Sequence, residues 1–445
     1  MSVPFPERDV LLTSETDIRI VDAARFAGRE VTIRGWANQV RSSGKISFVE
    51  IRDGSGYLQA VGEKPRLDEE SVRALEGCTH ESSLILTGKV RPHPKRPEVM
   101  ELDVTRARVV QRAEEYPLGR KEHGPDFLLE NRHLWLRAKK QWAIQRIRDT
   151  IIHATYDFFR HHGFIKIDAP IITATACEGT TTLFSMDYHE LGKAYLSQSG
   201  QLYIEAAVMS HGRVFDFGPV FRAEKSKTKK HLSEFWMMDA EMAYCDHTMN
   251  MRFQEELITF IVRTVLDQCR PELAAMERDT SKLEKVQTPF IRLTHRETVE
   301  LLRKHGSTMK EDDDLGAPDE AILAGLFDTP IFIEKWPAKI KAFYMKRGEQ
   351  DPSIVLGADL MAPEGFGEII GGSQREDDYE LLKERMIEEK IPLEDFGWYL
   401  DLRRYGSVPH AGFGFGLERL VAWLSGAEHI RETIPFPRML YRFRP

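Results

Sequence analysis

The chain has 445 residues, 42% of them hydrophobic and 30% charged, with a net charge of −8; this is globular composition and more length than one ordinary domain uses. No apolar run approaches the roughly 18 residues of a membrane span, and the start, MSVPFPERDV, lacks the basic and apolar regions of a secretory leader. The cysteines, Cys78, Cys177, Cys245 and Cys269, are scattered without CxxC spacing, which disfavours a disulfide framework or zinc site and predicts a cytoplasmic protein, while the acidic balance removes a global basic field but leaves room for a local RNA-binding patch.

Residues 17 to about 112 read as all-β. VTIRGWANQV, ISFVEIRD, GYLQAV, SSLILTGKV and MELDVTRARVVQ have strand character and are separated by SSGK and GSG turn signals. Five short strands in this length predict a small barrel of the OB type, with one helix at LDEESVRALEG. RPHPKRPE is a basic, proline-rich tip between the last two strands. Residues 113–137 contain Pro117, Gly119, Gly124 and Pro125 without clear periodicity and read as a linker or hinge. From residue 138 the pattern changes: Ile144, Ile147, Ile151, Ala154 and Phe158 recur at helical spacing, predicting a long amphipathic helix that ends near Gly163. FIKIDAPIIT then reads as a strand with Pro170 inside it, which places it at a sheet edge or bulge and makes it a candidate dimer surface.

The run CEGTTTLFSMDYHELGKAYLSQSGQLYIEA carries a loop at Thr180 to Thr182, then Gln201 and Glu205 after a Ser-Gly turn. Residues 218–244, GPVFRAEKSKTKKHLSEFWMMDAEMAY, read as two strands joined by a basic loop. Strand side chains alternate between faces. Val220, Arg222 and Glu224 therefore share one face, and so do Phe235, Met237, Asp239 and Glu241, while Trp236, Met238, Ala240 and Met242 form an apolar back. Such a hairpin is a floor for a ligand that combines phosphate, amine and a flat base. Helices and short strands follow (MNMRFQEELITFIVRTVLDQC, FIRLT, RETVELLRKHG, PIFIEKW), with an acidic turn at EDDDLGAPDE.

In ADLMAPEGFGEIIGGSQRED, Asp359 and Glu368 flank a turn. Two carboxylates are the protein's usual share of a Mg²⁺ shell completed by nucleotide phosphates and water; exposed hairpin charges are the equally weighted alternative. Arg375 presents a planar donor fork. HAGFGFGLERLVAWL alternates Gly412, Gly414 and Gly416 with Phe413 and Phe415, giving a strand with one bare and one aromatic face before a helix. Arg419 stands in the first turn of that helix, where a cation opposes the helix dipole and points to an anionic ligand.

Taken together, an edge proline after a long helix, FRAE with a basic loop and Phe235, and alternating glycines leading into Arg419 resemble motifs 1, 2 and 3 of the class II aminoacyl-tRNA synthetases. With the OB-like segment in front, nearly the whole chain resembles the aspartyl/asparaginyl branch. Aspartyl enzymes typically show SPQLYKQ; here the run is SGQLYIEA, with Ile204 at the lysine position. EFWM and GEIIGGSQRE also resemble the asparaginyl side.

The resemblance implies an α+β architecture: an OB-fold anticodon-binding domain over 1–112, a hinge over 113–137, and a class II catalytic domain over 138–445 with a central antiparallel sheet flanked by helices. It implies activation of asparagine by ATP, through asparaginyl-adenylate, and transfer to tRNA(Asn) by a homodimer joined near Pro170. Arg222 and Arg419 would be catalytic, on the α- and γ-phosphates. Glu224, His231, Phe235, Glu368 and Gly416 complete the implied ATP site, and Asp359 and Glu368 would hold Mg²⁺. Glu178, Gln201 and Asp239 would take the substrate ammonium, with Arg375 and Glu224 on the side-chain amide. Phe48 and Gln59 match anticodon-reading positions; for Phe48, burial in the barrel core is the competing reading. The rival functions are an aspartyl or non-discriminating enzyme, a tRNA-independent amidating ligase, and an inactive RNA-binding paralogue.

Overall fold

The computed structural model describes residues 11–12, 14–119, 121–174, 182–225 and 228–445. They form two compact units, residues 1–125 and 126–445.

In the first unit, β1 (Glu30–Ser43), β2 (Ile46–Arg52), β3 (Tyr57–Glu63), β4 (Ser83–His93) and β5 (Arg96–Gln111) close a barrel in the order β1-β2-β3-β5-β4. Alternation fills its interior: Val31, Ile33, Val49, Ile51, Leu84, Leu86 and Leu102 are fully buried. The predicted helix is present at Glu69–Gly77 and starts at Asp68, whose side chain accepts from the Ser71 amide at 2.7 Å.

The second unit is built on an eight-stranded mixed sheet. Its strands are β6 (Ile165–Lys166), β10 (Arg213–Phe221), β11 (Glu234–Ala243), β12 (Ile291–Thr294), β13 (Ile331–Glu334), β14 (Gly357–Ala362), β15 (Gly367–Gln374) and β16 (His410–Gly416), in the order β12-β13-β14-β15-β16-β11-β10-β6. The six central strands pair antiparallel; only the outer pairs, β12 with β13 and β6 with β10, are parallel. One face packs on the helices Lys139–His161, His247–Gln268 and Leu417–Ser425 through Ile151, Phe159, Phe215, Met238, Ala240, Ile258, Leu360, Phe413 and Phe415. The opposite face carries polar groups and glycines. Above part of it lie the helices Gln201–His211, Tyr379–Glu388 and Gly397–Arg404, with Leu202, Phe343, Leu382, Phe396 and Tyr399 in a core of their own.

Two sequence expectations change. FIKIDAPIIT is not one strand. Ile165–Lys166 belongs to the large sheet, whereas β7 (Ile172–Thr173) joins β9 (Lys193–Leu196) and β8 (Ser185–Asp187) in a separate three-stranded sheet. Pro170, which cannot donate to a ladder, lies in the crossing between them. The second change is in the stretch without periodicity, which holds two short helices, Pro125–Glu130 and Arg132–Trp135.

Arg132 explains the order there. It is fully buried and donates to the carbonyls of Ile434 (2.8 Å), Pro435 (2.7 Å) and Glu432 (3.3 Å) and to Gln141 Oε1 (2.7 Å). One guanidinium thus satisfies a cluster of carbonyls that no strand pairs. Arg132→Met should lower the stability of the second unit by about 2–4 kcal/mol, because buried acceptors lose charged donors. The urea midpoint followed by circular dichroism measures it, and an unchanged midpoint would mean that these carbonyls find water.

Candidate active site

The register of the central sheet sets out the site. One row of paired residues runs Asp216 on β10, Asp239 on β11, Gly414 on β16, Gly371 on β15 and Asp359 on β14. The next row runs Val214, Glu241, Gly412 and Ser373 to Gly357. The glycines have a definite use. A Cβ on Gly414 would lie 2.3 Å from Asp239 Oδ1, and one on Gly412 would lie 2.0 Å from Glu241 Oε2. The bare strand therefore makes room for the chain's own carboxylates on β11. Gly416, by contrast, leaves a Phe235 ring carbon 3.8 Å from where its Cβ would stand, an ordinary packing distance.

Asp239 is buried and accepts from Ser199 Oγ and the Gly200 amide, both at 2.9 Å. Burial pushes its carboxyl up to about 7; Asp216 adds to the rise, and the two hydrogen bonds and Arg375 oppose it. Like charges directly opposite each other destabilise a sheet, so the Asp216–Asp239 pair marks a place for a cation. The sequence reading missed Asp216. Its signal was there: Val214, Asp216, Gly218 and Val220 share a face, and Asp216 is the one charge in an apolar run. Gln201, at the start of its helix, is buried and donates to Glu205 Oε1 at 3.1 Å. Glu178 lies outside the described residues.

Arg375 is buried beside Glu241. Its Nε stands 3.1 and 3.3 Å from the two Glu241 oxygens, its Nη2 donates to Oε2 at 2.9 Å, and its Nη1 donates to Ser373 Oγ at 2.8 Å. Burial acts against the Arg375 charge, but Glu241 and Glu205 outweigh it and raise its pKa. Ile204, at the position where a lysine distinguishes the aspartyl type, is fully buried against Val208 and Val214.

Arg375 and Glu224, both expected at the substrate amide, stand at different places along the hairpin. Glu224 follows Phe221, which pairs with Glu234 at one end of β11, whereas Arg375 binds Glu241 seven residues further along. At about 3.3 Å per residue that is roughly 23 Å of strand. Glu224 instead stands among the loop residues: it acts electrostatically on His231, and its Oε1 is buried without a hydrogen-bond partner among the described residues.

At that end of the hairpin the Arg222 guanidinium lies 5.5 Å above the Phe235 ring. Arg222 Nη1 donates to the carbonyls of Gln198 and Phe221. Arg419, the third residue of the helix Leu417–Ser425, turns back to donate to the Glu368 carbonyl at 2.8 Å and stands 3.6 Å from Glu368 Oε2. His231 is exposed; partial desolvation and Arg419 lower its pKa, against Glu224.

Asp359 and Glu368 face a shared space over Gly371, whose missing Cβ would lie 3.7 Å from Asp359 Oδ1 and 3.0 Å from Glu368 Oε1. Burial, with Glu368 contributing, raises Asp359 to about 6 despite the opposing ion pair with Lys341, whose Nζ is 2.6 Å away. Two crowded carboxylates of this kind fit a divalent cation. Lys341, itself 3.9 Å from the centre of the Trp336 ring, was absent from the sequence reading because a lone lysine in a loop carries no pattern.

In the barrel, Phe48 and Gln59 both point outward, so Phe48 is not a core residue. Arg41 links them. Its guanidinium lies 4.9 Å over the Phe48 ring and donates to Gln59 Oε1 at 3.2 Å. Gln59 Nε2 in turn reaches Glu101 Oε2 at 3.3 Å.

The family model for class II tRNA synthetases (D, K and N) matches residues 124–440, and the model for the OB-fold nucleic acid binding domain matches residues 31–110. The asparagine–tRNA ligase of Pelotomaculum thermopropionicum is 54% identical over 428 residues, covering 96% of this chain and 99% of the relative. The asparaginyl-tRNA synthetase of Pyrococcus horikoshii, solved with asparaginyl-adenylate, superimposes with a TM-score of 0.92 at 40% identity over 96% of this chain and 99% of that one. An aspartyl-tRNA synthetase of Entamoeba histolytica reaches a TM-score of 0.81 at 29% identity, covering 100% of this chain and 96% of that one. Sheet, site and sequence agree: the chain belongs to the class II tRNA synthetases of the D, K and N group.

Proposed function

We propose that this protein is an asparagine–tRNA ligase, which activates asparagine with ATP and transfers it to tRNA(Asn). The observation that carries the choice of amino acid is the side-chain pocket. Arg375 already holds Glu241 as its counter-charge, and buried Ile204 brings no second cation. Of the five N–H groups of Arg375, three serve Glu241 and Ser373, leaving one each on Nη1 and Nη2 for a ligand oxygen. A neutral carboxamide uses such donors without needing net positive charge, and Glu241 is the acceptor available for its NH₂.

The amino group belongs at Asp239 and Asp216, and Gln201 and Glu178 share that role. The nucleotide belongs at the other end of the hairpin. Its base fits between Phe235, over Gly416, and Arg419. Arg222 faces the α-phosphate, Arg419 and His231 the outer phosphates, and Glu224 belongs with this group. Asp359 and Glu368 are the residues to hold Mg²⁺, which neutralises phosphate charge. In-line attack of the substrate carboxylate on the α-phosphorus needs no protein nucleophile, so these residues act by placement and by stabilising charge.

In the barrel, half-buried Phe48 offers a stacking platform and Gln59 a hydrogen-bonding edge for an anticodon base. The surface near Pro170, where Ile165, Ile171 and Ile172 are exposed, fits a homodimer contact. No helix among the described residues is long and apolar enough to cross a membrane, and a cytoplasmic site of action is the natural setting for this reaction.

ATP–pyrophosphate exchange should run much faster with asparagine than with aspartate, and tRNA(Asn) should accept the product; faster exchange with aspartate would overturn the substrate assignment. Arg419→Ala should lower exchange by about 10²–10³-fold with the circular dichroism spectrum unchanged, as expected for loss of a preorganised charge in the transition state. A third outcome concerns pH. Asp239 must be ionised to hold an ammonium, and its carboxyl in the free protein stands at about 7. On lowering the pH through that value, kcat/KM for asparagine should therefore fall, approaching about ten-fold per unit. A flat profile between pH 5 and about 8 would remove Asp239 from this role.

A further inference from the structure

Beneath Arg375 lies a second carboxylate to which none of these roles is given. Glu205 is fully buried in the helix Gln201–His211. The Tyr399 hydroxyl donates to it, at 2.8 Å from Oε1 and 2.7 Å from Oε2. Arg403 Nη2 is 2.9 Å from Oε2, His410 Nε2 is 3.2 Å from Oε2, and Gln201 Nε2 is 3.1 Å from Oε1. Arg375 Nε stands 4.0 Å from Oε1.

The partners come from several elements. Tyr399 and Arg403 come from the helix Gly397–Arg404, and Arg403 also donates to the Glu376 carbonyl at 2.8 Å. His410 opens β16; its Nδ1 is 2.8 Å from the Val408 carbonyl, and its own carbonyl accepts from the Arg375 amide at 2.9 Å. Both imidazole nitrogens thus face oxygen atoms.

This is a dense set of charges sealed from water. Glu205 and Glu241 stand against Arg375 and Arg403, with the His410 ring on Glu205, all of them buried. Burial alone would raise the Glu205 carboxyl; Arg403, His410 and Arg375 outweigh it and hold the group below the usual carboxylate range, so it is ionised. Without that negative charge, Arg375 and Arg403 would exceed Glu241 by one unit of charge. In a low-dielectric pocket an uncompensated cation attracts a carboxylate strongly.

We propose that Glu205 is a positioning residue for specificity: it offsets Arg375 and Arg403 so that the pocket accepts a carboxamide and refuses a carboxylate. The inference rests on the assignment of Arg375 to the substrate side chain. Glu205 touches no substrate; it acts through Arg375 and through His410, which holds the Arg375 backbone.

The test is ATP–pyrophosphate exchange with asparagine and with aspartate, using the full-length protein. Glu205→Gln keeps the shape and removes the charge. The ratio of kcat/KM for asparagine over aspartate should fall by about ten-fold or more, with a gain in the absolute aspartate rate and the KM for ATP unchanged. Glu205→Asp, which keeps the charge, should restore most of the ratio. Tyr399→Phe removes one donor to Glu205 and should raise the asparagine KM and lower the ratio by a few-fold; it decides the matter if Glu205→Gln does not fold. A parallel loss with both amino acids, accompanied by a higher KM for ATP, would reduce Glu205 to a scaffold residue and overturn the proposal. So would an unchanged ratio in Tyr399→Phe or Glu205→Gln. Preference of the wild-type protein for aspartate would instead sink the asparagine assignment, which separates the two failures.

Discussion

A buried carboxylate on a sheet needs space as well as a partner, and in this fold the space comes from the neighbouring strand. Asp239 and Glu241 stand on the ligand face of β11, and Gly414 and Gly412 face them across the pairing with β16. Any side chain at those two positions would occupy the volume of the carboxylates. The alternating glycines therefore serve the chain's own charges first. Only Gly416, at the end of the strand beside Phe235, keeps the open surface that a flat ligand can use.

From that arrangement follows the division of labour along β11. Its start, at Glu234 and Phe235, meets the basic loop with Arg222, Glu224 and His231. Its far end, at Asp239 and Glu241, meets Arg375 and the carboxylates beneath the roof of short helices. The hairpin thus holds the Arg222 end and the Arg375 end apart by the length of the strand. Glu224 shows the force of this constraint. It stands among the loop residues near His231, and the acceptor beside Arg375 is Glu241.

Much of this was legible in the sequence. Alternation assigned the two faces of β11 correctly, with Met238, Ala240 and Met242 in the core and Asp239 and Glu241 opposite. The glycine strand, the long helix Lys139–His161 and the five barrel strands all carry local periodicity, which a sequence displays directly. What was not legible depends on pairing across long separations. Asp216 becomes significant only when register sets it against Asp239. Lys341 matters because a hairpin eighteen residues later brings Asp359 to it. The short helix Arg132–Trp135 has no periodicity because its anchor is one arginine inserted among carbonyls some 300 residues away in sequence.

The same reasoning explains why Arg419 stands where helix electrostatics disfavour it. A cation in the first turn of a helix opposes the dipole, and here Glu418, one residue earlier, is buried and engaged with Arg148 at 2.7 Å and with the Trp236 amide at 3.0 Å. Glu418 supplies the acidic charge that the helix start prefers and at the same time ties that helix to β11 and to the long helix. Arg419 instead donates to the Glu368 carbonyl and stands near its carboxylate. The two charges are thus adjacent in sequence but engage different partners, so the helix start keeps its acidic charge in Glu418 while Arg419 reaches Glu368.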